Sequence, residues 1–276
     1  MGRRPTRSRR KTGSSQKSLI GFVAGAVGFS IIAVGTYLYI DARSKHVTLD
    51  SETLCPSDGP TGVVAILIDT TDAFTPIQQR DIANNLAELR ESLPVGYLFA
   101  GYTIDLGNSA VAIPAFYLCN PGRGEGVSEL TANPRLIEER WREEFEEPIA
   151  STLETMTRSG GAEISPILEA IQSVSVSQFH DPTYGDVPKR LVIVSDMLQN
   201  SENYSVYETS LPFADFESKP EWARVRANLK GVRVEIVFVI RPEYSQLQTD
   251  SLLQFWLNVF AAEGTDIDRI IRVAGG

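Results

Sequence analysis

Two residue types are scarce enough to exclude whole classes of chemistry. The 276 residues contain two cysteines, Cys55 and Cys119, and two histidines, His46 and His180. Metal cages built from His and Cys are ruled out by count, and no Cys-x-x-Cys redox pair exists. A Ser-His-Asp mechanism would have to rest on one of two histidines, neither of them in a recognisable motif. There is also no Gly-x-x-x-x-Gly-Lys-Ser/Thr phosphate loop, and the glycine run Asn120–Gly126 is not followed directly by a helical pattern, so it reads as a mobile loop. Acidic residues are missing from one place only. Residues 1–40 carry seven Lys/Arg and no Asp or Glu, which leaves 19 basic against 35 acidic residues beyond them, a formal −16. A body this acidic does not bind nucleic acid through its overall field. Chemistry is left to carboxylates and hydroxyls.

The N-terminal region has a clear polarity. Residues 1–17 form a basic tail with Arg3, Arg4, Arg7, Arg9, Arg10, Lys11 and Lys17, and residues 18–40 then contain no charge. A helix of that length rises about 34 Å, enough to cross a bilayer. The apolar stretch is longer than that of a cleaved signal peptide and lacks a clear small-x-small cleavage site, so it reads as a signal anchor in the membrane. A mitochondrial transit peptide shares the Arg-rich start but would be amphipathic. The positive flank keeps the N-terminus cytoplasmic and predicts that the chain beyond Asp41 is extracytoplasmic, in the periplasm. Gly21 and Gly25 sit at a spacing that permits close helix approach, which suggests a homo-oligomer through this face.

Residues 41–61 lack periodicity and read as a stalk. Cys55 lies there, and in an oxidising compartment a disulfide to Cys119 is expected, the alternative being two free thiols.

Residues 62–276 alternate strand and helix patterns. Val63–Ile68 and Leu191–Val194 are apolar runs typical of strands buried on both faces. Thr75-Pro76 and Ser165-Pro166 look like helix caps, with Ile77, Ile82, Leu86, Leu89 and Leu93 as one apolar stripe and Ile167, Leu168, Ile171, Val174 and Val176 as another. Val95–Ile104 and Ala110–Leu118 read as a hairpin about the turn Asp105–Asn108. Residues 133–158 read as a charged helix broken or kinked at Pro148, burying Leu136, Trp141, Phe145 and Ile149. Met197–Lys219 reads as a long irregular segment, Pro220–Lys230 and Gln246–Ala262 as helices, Val232–Ile240 as a central strand and Ile267–Val273 as an edge strand. The fold class is α/β: a doubly wound, mostly parallel sheet of about six strands with one antiparallel edge strand.

Two buried strands each end in an aspartate, Asp69 and Asp196. In an open α/β sheet ligands sit at that end of the strands. Magnesium takes six oxygen ligands and keeps several waters, so a few carboxylates and hydroxyls suffice to hold it. At this point the sequence resembles the von Willebrand factor A domain family, whose metal-ion-dependent adhesion site uses Asp-x-Ser-x-Ser after the first strand, a Thr before a middle helix and an Asp after the fourth strand. Asp69 matches the first Asp, Thr71 stands for the first Ser, Ser165 falls at the Thr position and Ser195-Asp196 matches the Ser-Asp pair. Ala73 occupies the second Ser position and has no donor; Asp72 is the residue that could replace it. The resemblance covers about residues 62–274 and implies a membrane-anchored binding or assembly module. Asp69, Thr71, Asp72, Ser165 and Asp196 would hold Mg²⁺, or Mn²⁺ or Ca²⁺, and the partner would be another protein offering an acidic side chain. Two other readings are carried forward: a Mg²⁺-dependent phosphoryl-transfer enzyme using Asp69, and a metal-free scaffold in which the aspartates are loop caps.

Overall fold

The structure, a computed structural model, describes residues 27–30, 32–37, 48–104, 113–129, 132–158, 160–161, 164–208 and 212–275. The chain divides into two compact units, Met1–Thr48 and Leu49–Gly276. In the first, residues 27–30 and 32–37 are helical and expose Val27, Phe29, Ile32, Val34 and Tyr37. Most of the expected span 18–40, including Gly21 and Gly25, and residues 41–47 of the stalk lie outside the described residues. Among the described residues no helix is long and apolar enough to cross a membrane.

The second unit is built on one six-stranded sheet. Its strands are β1 (Gly62–Ile68), β2 (Tyr97–Thr103), β3 (Phe116–Cys119), β4 (Lys189–Ser195), β5 (Val232–Val239) and β6 (Ile267–Val273), in the order β3-β2-β1-β4-β5-β6. All neighbours are parallel except β2 and β3. The expected sheet and its antiparallel edge are both present. The direction of strand order reverses between β1 and β4, which makes their carboxyl ends the topological switch point. Strand β1 is buried at every position because both faces are covered.

One face packs under α1 (Pro76–Glu91), α2 (Pro134–Trp141) and α3 (Glu147–Arg158); the other packs under α4 (Ile167–Val174), α5 (Phe213–Glu217), α6 (Pro220–Val225) and α7 (Asp250–Ala262). Helix α1 starts with a capping box: the Thr75 hydroxyl accepts from the Gln78 backbone and the Gln78 side chain accepts from the Thr75 backbone. Its buried stripe is Gln78, Ile82, Leu86 and Leu89, so Ile77, one position off that face, is exposed rather than packed.

Residues 134–158 do not break at Pro148. The proline has no N–H to offer the Glu144 carbonyl, and a π turn over Arg142–Glu146 absorbs the mismatch while the helix continues. Trp141, Phe145, Ile149, Leu153 and Met156 line the buried side, whereas Leu136 is exposed because that stripe extends back to Ile137. A second π turn, Ser175–Phe179, rotates the face after α4 and leaves Val176 in solvent.

The paired strands expected from 95 to 118 are shorter, and the expected turn Asp105–Asn108 lies outside the described residues. Gly101 in β2 is required there, since a Cβ would lie 2.1 Å from the Phe116 ring. The described residues of the segment 197–219 are more ordered than their composition implied: Tyr204, Phe213 and Phe216 join Trp222 and Phe255 in an aromatic cluster that includes α5. Helix α6 stops at Val225, where Arg226 turns extended, and α7 starts at Asp250 rather than Gln246.

Cys55 and Cys119 form a disulfide, with Cα atoms 4.7 Å apart. Cys119 pairs with Leu98 near the start of β2, and its N–H donates to the Thr53 carbonyl. The segment entering the domain is thus pinned at the amino end of the parallel strands.

Candidate functional site

The carboxyl ends of β1 and β4 bring Asp69 and Asp196 together, both about 95% buried. Asp69 follows the last residue of β1, and its backbone N–H still donates to the Val194 carbonyl, which fixes it against β4. Its two oxygens collect four donors. Oδ1 accepts from the Thr71 N–H (3.1 Å) and hydroxyl (2.6 Å); Oδ2 accepts from the hydroxyls of Ser165 (2.9 Å) and Ser195 (2.8 Å). Ser195 ends β4, and its own Oγ accepts the Met197 N–H at 2.8 Å.

The expected capping role of Ser165 is not found. Gln199, fully buried beyond β4, accepts the Leu168 N–H with Oε1 at 2.8 Å and does that work at the start of α4. The Ser165 hydroxyl is free to turn to Asp69, and its backbone exchanges two hydrogen bonds with Asn200. The loop after β1 is held in the same way. The Gly161 N–H donates to the Thr71 carbonyl, and Gly160 sits so close that a Cβ would lie 2.9 Å from the Ala73 backbone.

Asp196 accepts the Leu198 N–H on Oδ1 (2.9 Å) and Arg241 Nε–H on Oδ2 (3.3 Å). Burial, then the negative charge of Asp69, pushes its carboxyl above the ordinary range against the opposing pull of Leu198 and Arg241. The next residue, Met197, has φ 63°, a left-handed conformation costly for a branchless but bulky side chain, and Trp256 Nε1 donates to its carbonyl at 2.8 Å.

Arg241 lies outside the residues that the sequence motif marks. It follows Ile240 at the end of β5, beside Asp196, and precedes Pro242, which holds it extended. Its guanidinium is buried and each of its three nitrogens donates: besides Asp196 it donates to the carbonyls of Ala73 (2.6 Å) and Asp72 (3.0 Å), and it lies over the Phe74 ring at 5.5 Å. Gln248 completes the support. Its Oε1 accepts the Arg241 N–H at 2.7 Å, and its Nε2 donates to the Asp196 and Val239 carbonyls. The signal that could have found Arg241 was its place at the carboxyl end of the strand next to β4.

Above the cluster opens a polar cavity of about 250 Å³ lined by Thr71, Asp72, Ile164, Ser165, Asn200, Tyr207 and Tyr244. Asp72 is half-buried on its wall, not inside the Asp69–Asp196 pair. Tyr207 and Tyr244 meet edge to face at 5.7 Å. Burial first, and then the field of Asp196, raises the Tyr207 phenol above its ordinary value, so it is a neutral donor at the rim. A larger cavity of about 390 Å³ lies away from the carboxylates, along Phe213, Leu252 and Phe255.

Of the five residues expected to form the site, Thr71 and Ser165 bond Asp69, Asp196 adjoins this cluster through Ser195, and Asp72 lies on the wall. All are hard oxygen donors around a polar opening, and two buried carboxylates share a single buried guanidinium, so the set suits a hard divalent cation. Among the described residues no three His, Cys, Asp or Glu side chains gather as a metal cage, so hydroxyls and water would have to supply part of any such shell. The phosphoryl-transfer reading gains nothing. Both Asp69 oxygens are engaged by hydroxyl donors, and Lys189 Nζ donates to the Phe179 carbonyl at the amino end of β4.

No family model matches this chain, and none of the curated proteins compared with it matches. Among solved structures it is similar to the conserved hypothetical protein BatB from Bacteroides thetaiotaomicron, at 13% identity over 78% of this chain and 91% of that one, with a TM-score of 0.40. It is also similar to proximal thread matrix protein 1 of the mussel byssus in a structure with a zinc-occupied MIDAS motif, at 11% identity over 79% of this chain and 42% of that one, TM-score 0.41. Manganese-loaded TRAP protein of Plasmodium vivax is a third, at 10% identity, 70% and 63% coverage and a TM-score of 0.30. At these identities and scores the site rests on its own geometry.

Proposed function

We propose that this chain is a membrane-anchored binding module, not an enzyme, which holds another protein at the carboxyl end of its sheet. The observation that carries the reading is the convergence of Asp69, Thr71, Ser165, Ser195 and Asp196 beneath an open polar cavity at the switch point. A Mg²⁺, Mn²⁺ or Ca²⁺ ion there would be held by Thr71, Ser165 and the two carboxylates, with Asp72 in reach of its waters, and would offer an open position to an acidic side chain of the partner. The hydroxyl chemistry favours binding over turnover, because three hydroxyls share one carboxylate, Asp69, in a closed cluster and neither His nor Lys lies among the residues that form it.

Residues 18–40 would anchor the chain in a bilayer, with the domain on the extracytoplasmic side. The Cys55–Cys119 disulfide supports an oxidising compartment. It pins the entering segment at the amino ends of the strands, while the site lies at their carboxyl ends. Seven residues of strand separate the two by roughly 20 Å.

Calorimetric titration of the full-length protein with Mg²⁺, Mn²⁺ and Ca²⁺ tests the cation. Saturable binding that is lost in Asp69→Ala and in Asp196→Ala is expected, and no binding in the native chain would refute this part. For the partner, a photoreactive residue at Tyr207 should give a defined crosslink that one at Val176, at the other end of the helix starting near Ser165, does not. Equal crosslinking at both positions would sink the assignment of the docking end.

A further inference from the structure

We infer that Arg241 is the resident counter-cation of this site and sets how strongly the carboxylates draw a second, exchangeable cation. The inference rests on the cation-binding reading above and goes beyond it by assigning affinity to a residue that would itself ligate no metal.

Three features of Arg241 carry it. Its side chain is about 94% buried beside an equally buried Asp196, with Nε 3.3 Å from Oδ2. Its two terminal nitrogens each donate to a backbone carbonyl, of Ala73 and Asp72, in the turn that forms one wall of the cavity. The backbone on its own side is tied to Gln248, which also holds the Asp196 carbonyl. The guanidinium therefore cannot swing away to make room for a metal without leaving two carbonyls and a carboxylate unpaired. It stays, and any arriving cation meets Asp69, Asp72 and Asp196 with one of their three charges already offset.

A fixed positive charge a few ångströms from an incoming divalent ion opposes its binding even where the effective dielectric is well above that of dry protein. Arg241 also aligns the Asp72–Ala73 turn, at the position where Ala73 offers no donor of its own. One residue thus replaces by permanent charge what a fuller oxygen shell would obtain from a metal, and the site is folded before any ion arrives.

The test is calorimetric Mn²⁺ titration of the full-length protein as wild type, Arg241→Gln, Asp196→Asn and the double variant Asp196→Asn/Arg241→Gln, with folding checked by circular dichroism. Gln keeps one donor for the turn carbonyls, and the double variant removes the buried charges as a pair, so it leaves neither stranded if the single variant fails to fold. Loss of Arg241 should tighten Mn²⁺ binding by about tenfold or more in the native background, and in the double variant it should restore part of the binding that Asp196→Asn loses. Binding by Arg241→Gln where the wild type binds nothing measurable would support the inference and limit the native site to a metal-free role. Wild-type binding that is unchanged or weakened in folded Arg241→Gln would overturn it while leaving the cation reading intact. Absence of binding in every folded variant would overturn both.

Discussion

Removing the disulfide should destabilise the domain strongly and leave the site unchanged. Cys55 and Cys119 close a loop of 64 residues between the entering segment and the edge strand β3. Loop-closure entropy for that length is about 14 cal/mol/K, or roughly 4 kcal/mol at 25 °C, removed from the unfolded chain by the crosslink. For a unit the size of Leu49–Gly276, each kcal/mol moves the melting temperature by about 2–4 °C, so Cys55→Ala/Cys119→Ala should melt roughly 8–16 °C lower. Both cysteines are buried, and alanine leaves no unpaired polar group behind. Thermal melts by circular dichroism, on the double variant and on wild type with and without reductant, would measure the shift. Reduced wild type should approach the variant. Below its melting temperature the variant should titrate with Mn²⁺ as wild type does, because the crosslink lies at the opposite end of the strands from Asp69. A drop under about 3 °C would mean that the segment 49–61 is held by its backbone bonds, such as Cys119 to Thr53, and that the entropic reasoning is wrong. A loss of cation binding in the still-folded variant would refute the separation of disulfide and site.

Other outcomes follow from the same geometry. Asp69→Ala leaves the Thr71, Ser165 and Ser195 hydroxyls without their acceptor and should cost about 2–4 kcal/mol in urea unfolding, besides abolishing cation binding. Gly160→Ala would drive a methyl against the Ala73 backbone and should weaken Mn²⁺ binding severalfold with little change in the melt; unchanged affinity would show that this wall of the cavity yields freely. Glu263 is buried, accepts only the Ala227 N–H on one oxygen, and burial pushes its carboxyl up to about 7. Since the folded chain then holds this proton more tightly than the unfolded chain, stability is present below about pH 4 and lost as pH rises through 7. Glu263→Gln should therefore be more stable than wild type at pH 8, by about 1–3 kcal/mol, and show little gain at pH 5; a pH-independent difference would reject burial of a charge as the cause.

Periodicity and end signals were enough to place the elements. Apolar runs bounded by polar loops gave β1 and β4, the Thr75-Pro76 pair gave the start of α1, and alternation of strand and helix gave a doubly wound sheet with an antiparallel edge. Those features are local, and neighbours along the chain decide them. The aspartates at two strand ends were legible for the same reason, because a strand order with one reversal brings the ends of adjacent central strands together. Only the tertiary structure decided what each polar group does there. Ser165 binds Asp69 instead of capping its helix because Gln199, 34 residues later, takes the cap; Asp72 lines the wall because Arg241 holds its turn from the far strand. The π turns before Pro148 and after α4, which moved Leu136 and Val176 out of the core, answer to packing that no single helix encodes. A buried arginine beside a buried aspartate is likewise a fact of assembly: Arg241 lies 45 positions beyond Asp196, and only the register of β4 on β5 makes them neighbours.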